Sequence, residues 1–316
     1  MGEFVINEND SDQRLDKFIL KTLPDLPKSL MYKMIRKKDI RINGKKCDIS
    51  SRLSSGDVVY VYASERFSVN NTKNEIFDFS NASDELCIVY EDDNILVVDK
   101  PCGVTVHCDN EHTEDTLINR IKKYLYNSKA YNPDMENSFA PALCNRLDKN
   151  TVGLVVACKN ASSLRILNEA IRKGNISKVY HCITVGIPPK ESDILTAFHS
   201  KSDKQNMVIV SDEPKENFKP IKTGYKVLRK NNSLALVEVT LFTGRTHQIR
   251  AHLSHIGTPV LGDSKYGNPD YNKKYKMRYQ ALCAYSLSFT LPENSPLAYL
   301  NDMTFNAHTP YFEKLL

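Results

Sequence analysis

The sequence predicts an α+β fold: a mixed, mostly antiparallel β-sheet with flanking helices, preceded by a small N-terminal α/β domain. From Leu86 onward, short apolar runs with the character of strands dominate the chain. Helical patterns lie between these runs without the regular alternation of a doubly wound α/β fold. A polar stretch poor in aliphatic residues separates this part from the first 62 residues. We therefore expect a small domain at 1–62, a linker at 63–84 and a large domain at 85–316.

Composition favours a globular protein with no membrane segment. The chain has 316 residues, of which 41% are apolar, and no run approaches the ~20 apolar residues of a membrane helix. Residues 1–9 carry acidic side chains and no basic one, which argues against a secretory signal. The eight cysteines lack any Cys-x-x-Cys pair, so we interpret them as reduced thiols of a cytoplasmic protein. The net charge of +5 permits a polyanionic partner without demanding one.

The small domain is predicted to contain two helices, a hairpin and a strand. Ser11 or Asp12 can cap a first helix that reaches Leu23, and Ser29 can cap a second one. The pair Asn43-Gly44 follows a strand and is a strong hairpin signal. Residues 58–62 form the closing strand.

Positive charge is concentrated in the small domain. Residues 28–52 contain nine basic and two acidic side chains. A basic helix face beside a basic hairpin favours contact with a phosphate backbone, whereas a solvated helix face is the plainer alternative. The predicted RNA-binding residues are Lys33, Arg36, Lys37, Arg41 and Lys45.

The large domain reads as strands with helices between them. A helix ending at Gly174, its C-cap, is expected over 162–173, and a strand with one inner face over 235–241. Residues 127–139 are expected to form a polar loop, and 192–216 a polar, charged insertion. The other predicted elements are strands at 86–90, 95–99, 178–185 and 285–291 and helices at 116–126 and 246–256.

One carboxylate stands out in a polar turn before a buried strand. Asp148 lies between Arg146 and Lys149, and an apolar run, Leu154–Ala157, follows. The two cations favour the ionised carboxylate, which suits a nucleophile or base. Taken alone, the turn is more simply an Asx turn on the surface.

Four blocks of sequence resemble the RluA-type pseudouridine synthases. Arg-Leu-Asp-x-x-Thr-x-Gly-Leu at 146–154 resembles the catalytic motif of that family, and residues 88–107, 243–252 and 261–267 resemble its other blocks in the same order. Arg14-Leu-Asp-Lys-Phe18 and the helix–helix–Ile-Asn-Gly arrangement resemble the S4 RNA-binding domain. The resemblance implies the pseudouridine synthase fold and an isomerase that converts uridine in structured RNA to pseudouridine without a cofactor.

The same resemblance implies roles for individual residues. Asp148 matches the catalytic carboxylate, Arg250 the arginine paired with it, and Tyr180 the tyrosine stacked on the base. Arg146 matches a residue that holds the target nucleotide out of its stack, which such chemistry requires. The other expected substrate-binding residues are Ile249, Arg245, His247 and Leu261. Asn145 and Val152 depart from the commoner His and Ser, which affects substrate placement rather than the charges used in catalysis.

Several alternatives stay open. Large-subunit ribosomal RNA is the expected target, with transfer RNA as the alternative, and 127–139 and 192–216 are the segments expected to select the site. A non-catalytic RNA-binding or ribosome-assembly protein has no need of Asp148, Tyr180 and Arg250 together. A carboxylate-based hydrolase would need a partner for Asp148, for which Asp263 is the candidate. The histidines at 247, 252 and 255 lack further ligands at recognisable spacing, so no metal is expected. The expected state is a monomer.

Overall fold

The N-terminal unit is a small sheet covered by two helices. The computed structural model describes residues 2–62, 79–108, 114–202 and 207–316. The four strands lie in the order β1-β4-β2-β3. Their buried side chains pack with those of the helices, led by Phe18, Ile19 and Met31, in one apolar core. The elements are β1 (Gly2–Val5), α1 (Leu15–Thr22), α2 (Lys28–Lys37), β2 (Ile40–Ile42), β3 (Lys45–Lys46) and β4 (Val58–Val61).

The hairpin in this unit is confirmed, whereas the predicted helix caps are wrong. Asn43 and Gly44 have φ values of 51° and 73°, as a two-residue hairpin turn requires. The residues that precede α1 and α2 are Arg14 and Pro27, and neither side chain makes a capping hydrogen bond. Strand β1, which the sequence pattern did not predict, pairs with β4 along the sheet edge.

The rest of the described chain is built on one eleven-stranded sheet. The main strand order is β11-β10-β12-β13-β9-β14-β8-β6-β5, with β7 paired to β8 and β15 to β14. Of these pairings, only β14 with β8 is parallel among the described residues. The α+β class predicted from the sequence is therefore confirmed. The strands are β5 (Ile88–Glu91), β6 (Ile95–Lys100), β7 (Ala142–Leu143), β8 (Val152–Cys158), β9 (Ile176–Val185), β10 (Ser192–Ser202), β11 (Met207–Ser211), β12 (Lys219–Lys230), β13 (Leu234–Leu241), β14 (Leu282–Phe289) and β15 (Thr304–Asn306).

Helices cover both faces of the large sheet. They are α3 (Leu117–Asn127), α4 (Ala161–Lys173), α5 (Gln248–His255) and α6 (Pro269–Lys274). Gly174 ends α4 in the left-handed conformation, as predicted. On β13, Leu236 packs in the core that contains α4, whereas Val237 packs in the core that contains α5. The expectation of one inner face for this strand was therefore wrong, because both of its faces are covered. No helix in the described ranges is both long and apolar enough for a bilayer span.

The polar, charged segment at 192–216 contains two strands that the sequence did not predict. Strands β10 and β11 pair antiparallel there and extend the edge of the sheet beyond β12. Many side chains of β10 are exposed or half-buried, so polar residues suit both of its faces. An edge hairpin of this kind lacks the apolar alternation by which strands are predicted.

Part of the predicted linker packs against the large sheet. Residues 63–78 lie outside the described residues. Phe79 is 5% exposed and shares a core cluster with Leu96 and Leu117. Lys123 Nζ donates to the Ala82 carbonyl oxygen at 2.8 Å. Residues 79–84 are thereby held against α3.

Gly153 allows β8 and β14 to pair, and an alanine there should be strongly destabilising. Its φ is +108°, and a Cβ atom would lie 2.3 Å from the Ala284 carbonyl oxygen. We expect Gly153→Ala to lower the free energy of unfolding by about 3 kcal/mol or more, through the clash and the unfavourable φ. Gly174→Ala is the control, because its Cβ would meet open space at a similar positive φ, and about 1 kcal/mol is expected. Equal losses in urea unfolding of the two variants would contradict this account.

Candidate active site

A large cleft lies at the ends of β7, β8 and β9 and reaches the segment between β13 and α5. Its volume is 1290 Å³. The side chains around it come from several separate stretches of the chain, so only the folded sheet assembles them. Seven residues predicted from the sequence line it: Arg146, Asp148, Tyr180, Arg245, His247, Ile249 and Arg250.

A buried lysine, Lys100, holds the turn that carries Asp148 in place. Lys100 is 0% exposed, and its Nζ donates to the carbonyl oxygens of Pro101, Val104 and Lys149 at 3.0, 2.8 and 2.9 Å. Burial lowers the pKa of Lys100 to about 8, although the charge of Asp148 opposes the shift. The ammonium thus fixes the backbone of the residue next to Asp148.

Asp148 is paired with an arginine that a second carboxylate holds in place. Arg250 Nη1 donates to Asp148 Oδ2 at 2.6 Å. The same guanidinium donates through Nε and Nη2 to both oxygens of Asp263, at 2.6 and 2.9 Å. Burial alone would lower the pKa of Arg250, but Asp263 and Asp148 raise it above its ordinary value. A charged guanidinium therefore faces Asp148 across the neutral pH range.

Asp263 supports Arg250 and has no free oxygen for chemistry. Its side chain is 0% exposed, and Oδ1 also accepts from the backbone N–H groups of Lys265 and Tyr266. Burial by itself would raise the pKa of Asp263, but Arg250 and these N–H groups hold it below its ordinary value. A general acid needs an accessible proton, so the arrangement argues against Asp263 as the second carboxylate of a hydrolase. The sequence marked this residue only as a member of the block at 261–267.

His247 lies near the Asp148 carboxylate that Arg250 binds. Its Nε2 lies 3.9 Å from Asp148 Oδ2, and its Nδ1 is 2.9 Å from the Tyr266 hydroxyl oxygen. That oxygen accepts the backbone N–H of Val208 on β11, which links the edge hairpin to the site. His247 adopts φ 52°, an uncommon value for a side-chain-bearing residue. Burial lowers the pKa of His247 despite the nearby Asp148, which favours the neutral imidazole.

Gln248 holds the loop before α5 in shape, and the sequence reasoning did not identify it. Its Oε1 accepts from the Thr243 hydroxyl and the Arg245 N–H at 2.9 and 3.1 Å. Its Nε2 donates to Thr223 Oγ1 at 2.9 Å. The side chain is 2% exposed, so these bonds satisfy a buried amide and place Arg245 and His247 at the cleft. Its position between two predicted site residues was the signal that could have found it.

Tyr180 and Ile249 form the apolar wall near Asp148. They are 7% and 4% exposed and belong to the same core cluster. Burial raises the pKa of Tyr180 above its ordinary value, with a further contribution from the charge of Asp148. The phenol is therefore neutral, and its ring and the Ile249 side chain offer a flat apolar surface. Arg146 and Arg245 are exposed at the cleft.

Leu261 does not line the cleft, so the prediction that it contacts the substrate is wrong. It is 0% exposed and belongs to the main core with Leu154. Its backbone N–H donates to Ile183 O, and its carbonyl oxygen accepts from the Ala281 N–H, both at 2.8 Å. Leu261 is thereby part of the sheet scaffold behind the site.

His252 and His255 each have their own hydrogen-bond partner. His252 Nδ1 lies 3.0 Å from Thr223 Oγ1, and His255 Nε2 lies 2.8 Å from Asp212. Burial lowers the pKa of His252 to about 4, so it is a neutral core residue at neutral pH. Of the described residues, Cys87, Asp99 and His308 do bring three metal-capable groups together, outside the cleft.

The basic residues predicted to bind RNA lie on the N-terminal unit and not in the cleft. Lys33, Arg36 and Lys37 are exposed on α2, and Arg41 and Lys45 are exposed on β2 and β3. The Arg41 guanidinium lies 5.6 Å from the centre of the exposed Tyr62 ring. An exposed aromatic ring beside a basic surface is a feature that the sequence reasoning missed.

Comparison with known proteins gives two family matches. Residues 94–255 match the model described as RNA pseudouridylate synthase, and residues 13–59 match the S4 domain. A protein of Mycoplasma capricolum named as an uncharacterized RNA pseudouridine synthase is 37% identical over 309 residues, covering 96% of both chains. The ribosomal large subunit pseudouridine synthase C of Buchnera aphidicola is 33% identical, covering 91% of this chain and 89% of its own.

Solved structures share the fold at low sequence identity. Human RNA pseudouridylate synthase domain containing 1 superimposes with a TM-score of 0.58 and 20% identity, covering 74% of this chain and 87% of its own. Human RNA pseudouridylate synthase domain containing 4 gives 0.55 and 24%, covering 77% and 94%. At these identities the likeness establishes the architecture alone.

Proposed function

Because the chain belongs to the RNA pseudouridylate synthase family, as an RluA-type member with an S4 domain, we propose that it isomerises uridines of large-subunit ribosomal RNA with Asp148 as the catalytic carboxylate. The observation that carries the assignment of Asp148 is its ion pair with Arg250 inside the cleft. Asp148 is 30% exposed while Arg250 is 6% exposed, so the carboxylate can meet a substrate and its counter-ion stays fixed.

The reaction rearranges a single uridine and adds no external group. The bond between uracil N1 and C1′ of the ribose breaks, the base turns, and C5 bonds to C1′ while its proton leaves and N1 gains one. No electrons enter or leave, so the chemistry has no requirement for a redox cofactor. Asp148 attacks the base or the sugar, or removes a sugar proton.

The apolar wall supports the part of the reaction in which uracil is detached. The Tyr180 ring and Ile249 flank Asp148 and provide a surface on which the base turns without leaving. We assign the neutral Tyr180 phenol to stacking on the base, because uptake of the C5 proton would require its phenolate, which the raised pKa disfavours. Arg146 at the cleft supplies a planar cation that replaces the stacking partner of the extruded nucleotide.

The names of the relatives and the second domain support ribosomal RNA as the target. Relatives from Vibrio cholerae and Buchnera aphidicola are named ribosomal large subunit pseudouridine synthase C. The exposed basic side chains on α2 and the β2–β3 hairpin suit contacts with the phosphates of a structured RNA. We further propose that the enzyme works as a monomer in the cytoplasm, where bacterial ribosomal RNA is modified.

Mapping of pseudouridine at nucleotide resolution in total RNA tests this proposal. Cells with the wild-type chain, cells without it and cells with Asp148→Asn are compared. We expect the same large-subunit sites to disappear in both deficient strains, which identifies the target and assigns Asp148. Loss confined to transfer RNA would replace the proposed target, and restoration of every site by Asp148→Asn would refute the assigned carboxylate.

A further inference from the structure

The N-terminal unit is joined to the catalytic unit through a buried polar contact centred on Asp10. We propose that this contact holds the S4 domain in one orientation, and that Asp10 is a positioning residue for RNA selection by the active site. The inference rests on the proposed function for its consequence and on the contacts themselves for its geometry.

Asp10 is 0% exposed, although it lies in a loop between β1 and α1. Its Oδ1 accepts from the Ser138 hydroxyl at 2.6 Å and from the Ser138 backbone N–H at 3.2 Å. Its Oδ2 accepts from Asn137 Nδ2 at 2.6 Å. Within its own unit Oδ2 accepts only a long bond, from the Asn7 backbone N–H at 3.5 Å. The shorter bonds of this buried carboxylate all come from neutral donors of the catalytic unit.

Two asparagines that precede Asp10 extend the contact to Glu136. Asn7 Nδ2 donates to Glu136 Oε2 at 3.2 Å, and Asn9 Nδ2 donates to Glu136 Oε1 at 2.7 Å. In the reverse direction, Asn137 Nδ2 donates to the Val5 carbonyl oxygen at 2.8 Å. Burial raises the pKa of Glu136, while the two asparagines oppose that shift.

A second segment of the catalytic unit meets the same loop. The Ala161 N–H at the start of α4 donates to Asn9 Oδ1 at 3.0 Å, and Arg165 Nη1 on α4 donates to the Ser11 carbonyl oxygen at 3.1 Å. Two separate anchor points restrict rotation of the unit as well as its separation. Such a contact defines an orientation, which one flexible pair of charges would not.

The contact lies at a defined distance along the chain from the catalytic turn. Residue 138 leads into β7 and residue 161 follows β8, and Ala142 pairs with Cys158 at this end of the two strands. The Asp148 turn joins the opposite ends. Seven residues of β8 span about 20 Å at about 3.3 Å each, so the S4 domain is attached roughly that far from Asp148.

The hydrogen bonds of Asp10 contribute more to the orientation of the S4 domain than to the free energy of its docking. A separated Asp10 would be hydrated by water, so its hydrogen bonds to Asn137 and Ser138 give little net free energy. A misplaced docking would bury the carboxylate without donors, which costs several kcal/mol by comparison. The network therefore penalises other orientations, and the two RNA-contacting surfaces keep a fixed spacing.

Kinetics on two RNAs together with hydrogen exchange test this role in the full chain. One RNA is a long large-subunit fragment that contains the mapped uridine, and the other is a short stem-loop around it. For Asp10→Ala we expect faster exchange of the Ser138 and Ala161 amides and about a 10-fold higher KM for the long fragment. The kcat on both RNAs and the KM for the stem-loop should stay unchanged.

Two further variants separate positioning from general damage. Ser138→Ala removes a donor from the catalytic side and should raise the same KM without altering the S4 domain. Asp25→Ala removes an exposed carboxylate of the same domain and should change neither readout. Unchanged amide exchange in Asp10→Ala, or an unchanged KM for the long fragment, would overturn the inference. If the wild-type chain forms no pseudouridine in either RNA, the proposed function fails, whereas the exchange data still decide whether Asp10 holds the domains together.

Discussion

Replacing Asp148 with asparagine should lower the rate constant for pseudouridine formation by about 10⁴-fold or more while RNA binding persists. Asparagine keeps the shape of the side chain but carries no charge and is a very poor nucleophile and base. Arg250 keeps its two bonds to Asp263, so the cleft should retain its form. Single-turnover measurement of pseudouridine formation on a purified RNA isolates the chemical step from binding and product release.

The matched control for this variant is Asp212→Asn. Asp212 is 81% exposed and pairs with His255, away from the Asp148–Arg250 contact. Its replacement makes the same chemical change, so a rate close to that of the wild-type chain is expected. If Asp148→Asn kept more than about a tenth of the wild-type rate, catalysis would have to depend on another group. Binding-only function would predict no turnover by the wild-type chain in this assay.

The residues of the site that could be predicted from sequence are those whose chemistry is marked by an unusual local pattern. Asp148 between two cations, and Arg250 on one face of a short helix, are visible in the printed sequence. Their 2.6 Å contact joins residues 102 positions apart, and the resemblance to a known family was needed to expect it. Helices α3 and α4 were predicted closely because their apolar spacing and caps are local.

The errors arise where tertiary contacts decide the environment of a residue. Leu261 and Asp263 share one motif, but only the folded sheet directs Leu261 into the core and Asp263 to Arg250. Strands β10 and β11 were missed because an edge hairpin tolerates polar residues on both faces. Asp10 gave no signal, since its short hydrogen bonds come from residues more than a hundred positions later.

Replacing Arg250 with methionine should lower the free energy of unfolding by about 3–5 kcal/mol at neutral pH. Asp263 would keep its buried position but lose both guanidinium bonds, and an unpaired buried carboxylate is strongly unfavourable. Methionine fills a similar volume with apolar atoms, so the loss reports the charge rather than a cavity. Urea unfolding of the two proteins at pH 7.5 gives the difference directly.

The pH dependence of this loss identifies Asp263 as its source. In the wild-type chain the pKa of Asp263 lies below its ordinary value, so its contribution is present above the unfolded-state pKa and is lost as pH falls through the folded one. In Arg250→Met, burial raises the pKa of Asp263, and the variant gains stability relative to the wild type as the carboxyl takes up a proton. The difference between the two proteins should therefore shrink between pH 7.5 and pH 5, by up to about 1.4 kcal/mol for each pH unit over which Asp263 titrates in the variant.

A second arginine of the cleft provides the control for this interpretation. Arg146 is exposed, so Arg146→Met removes the same charge from the same cleft without uncovering a buried partner. Its free energy of unfolding should stay within about 0.5 kcal/mol of the wild-type value at both pH values. A loss in Arg250→Met that is independent of pH would contradict the role assigned to Asp263, because a packing defect does not titrate. A loss that shrinks on acidification in Arg250→Met alone would identify the buried Asp263 carboxylate as its source. The ion pair that holds Arg250 beside Asp148 would then also stabilise the fold.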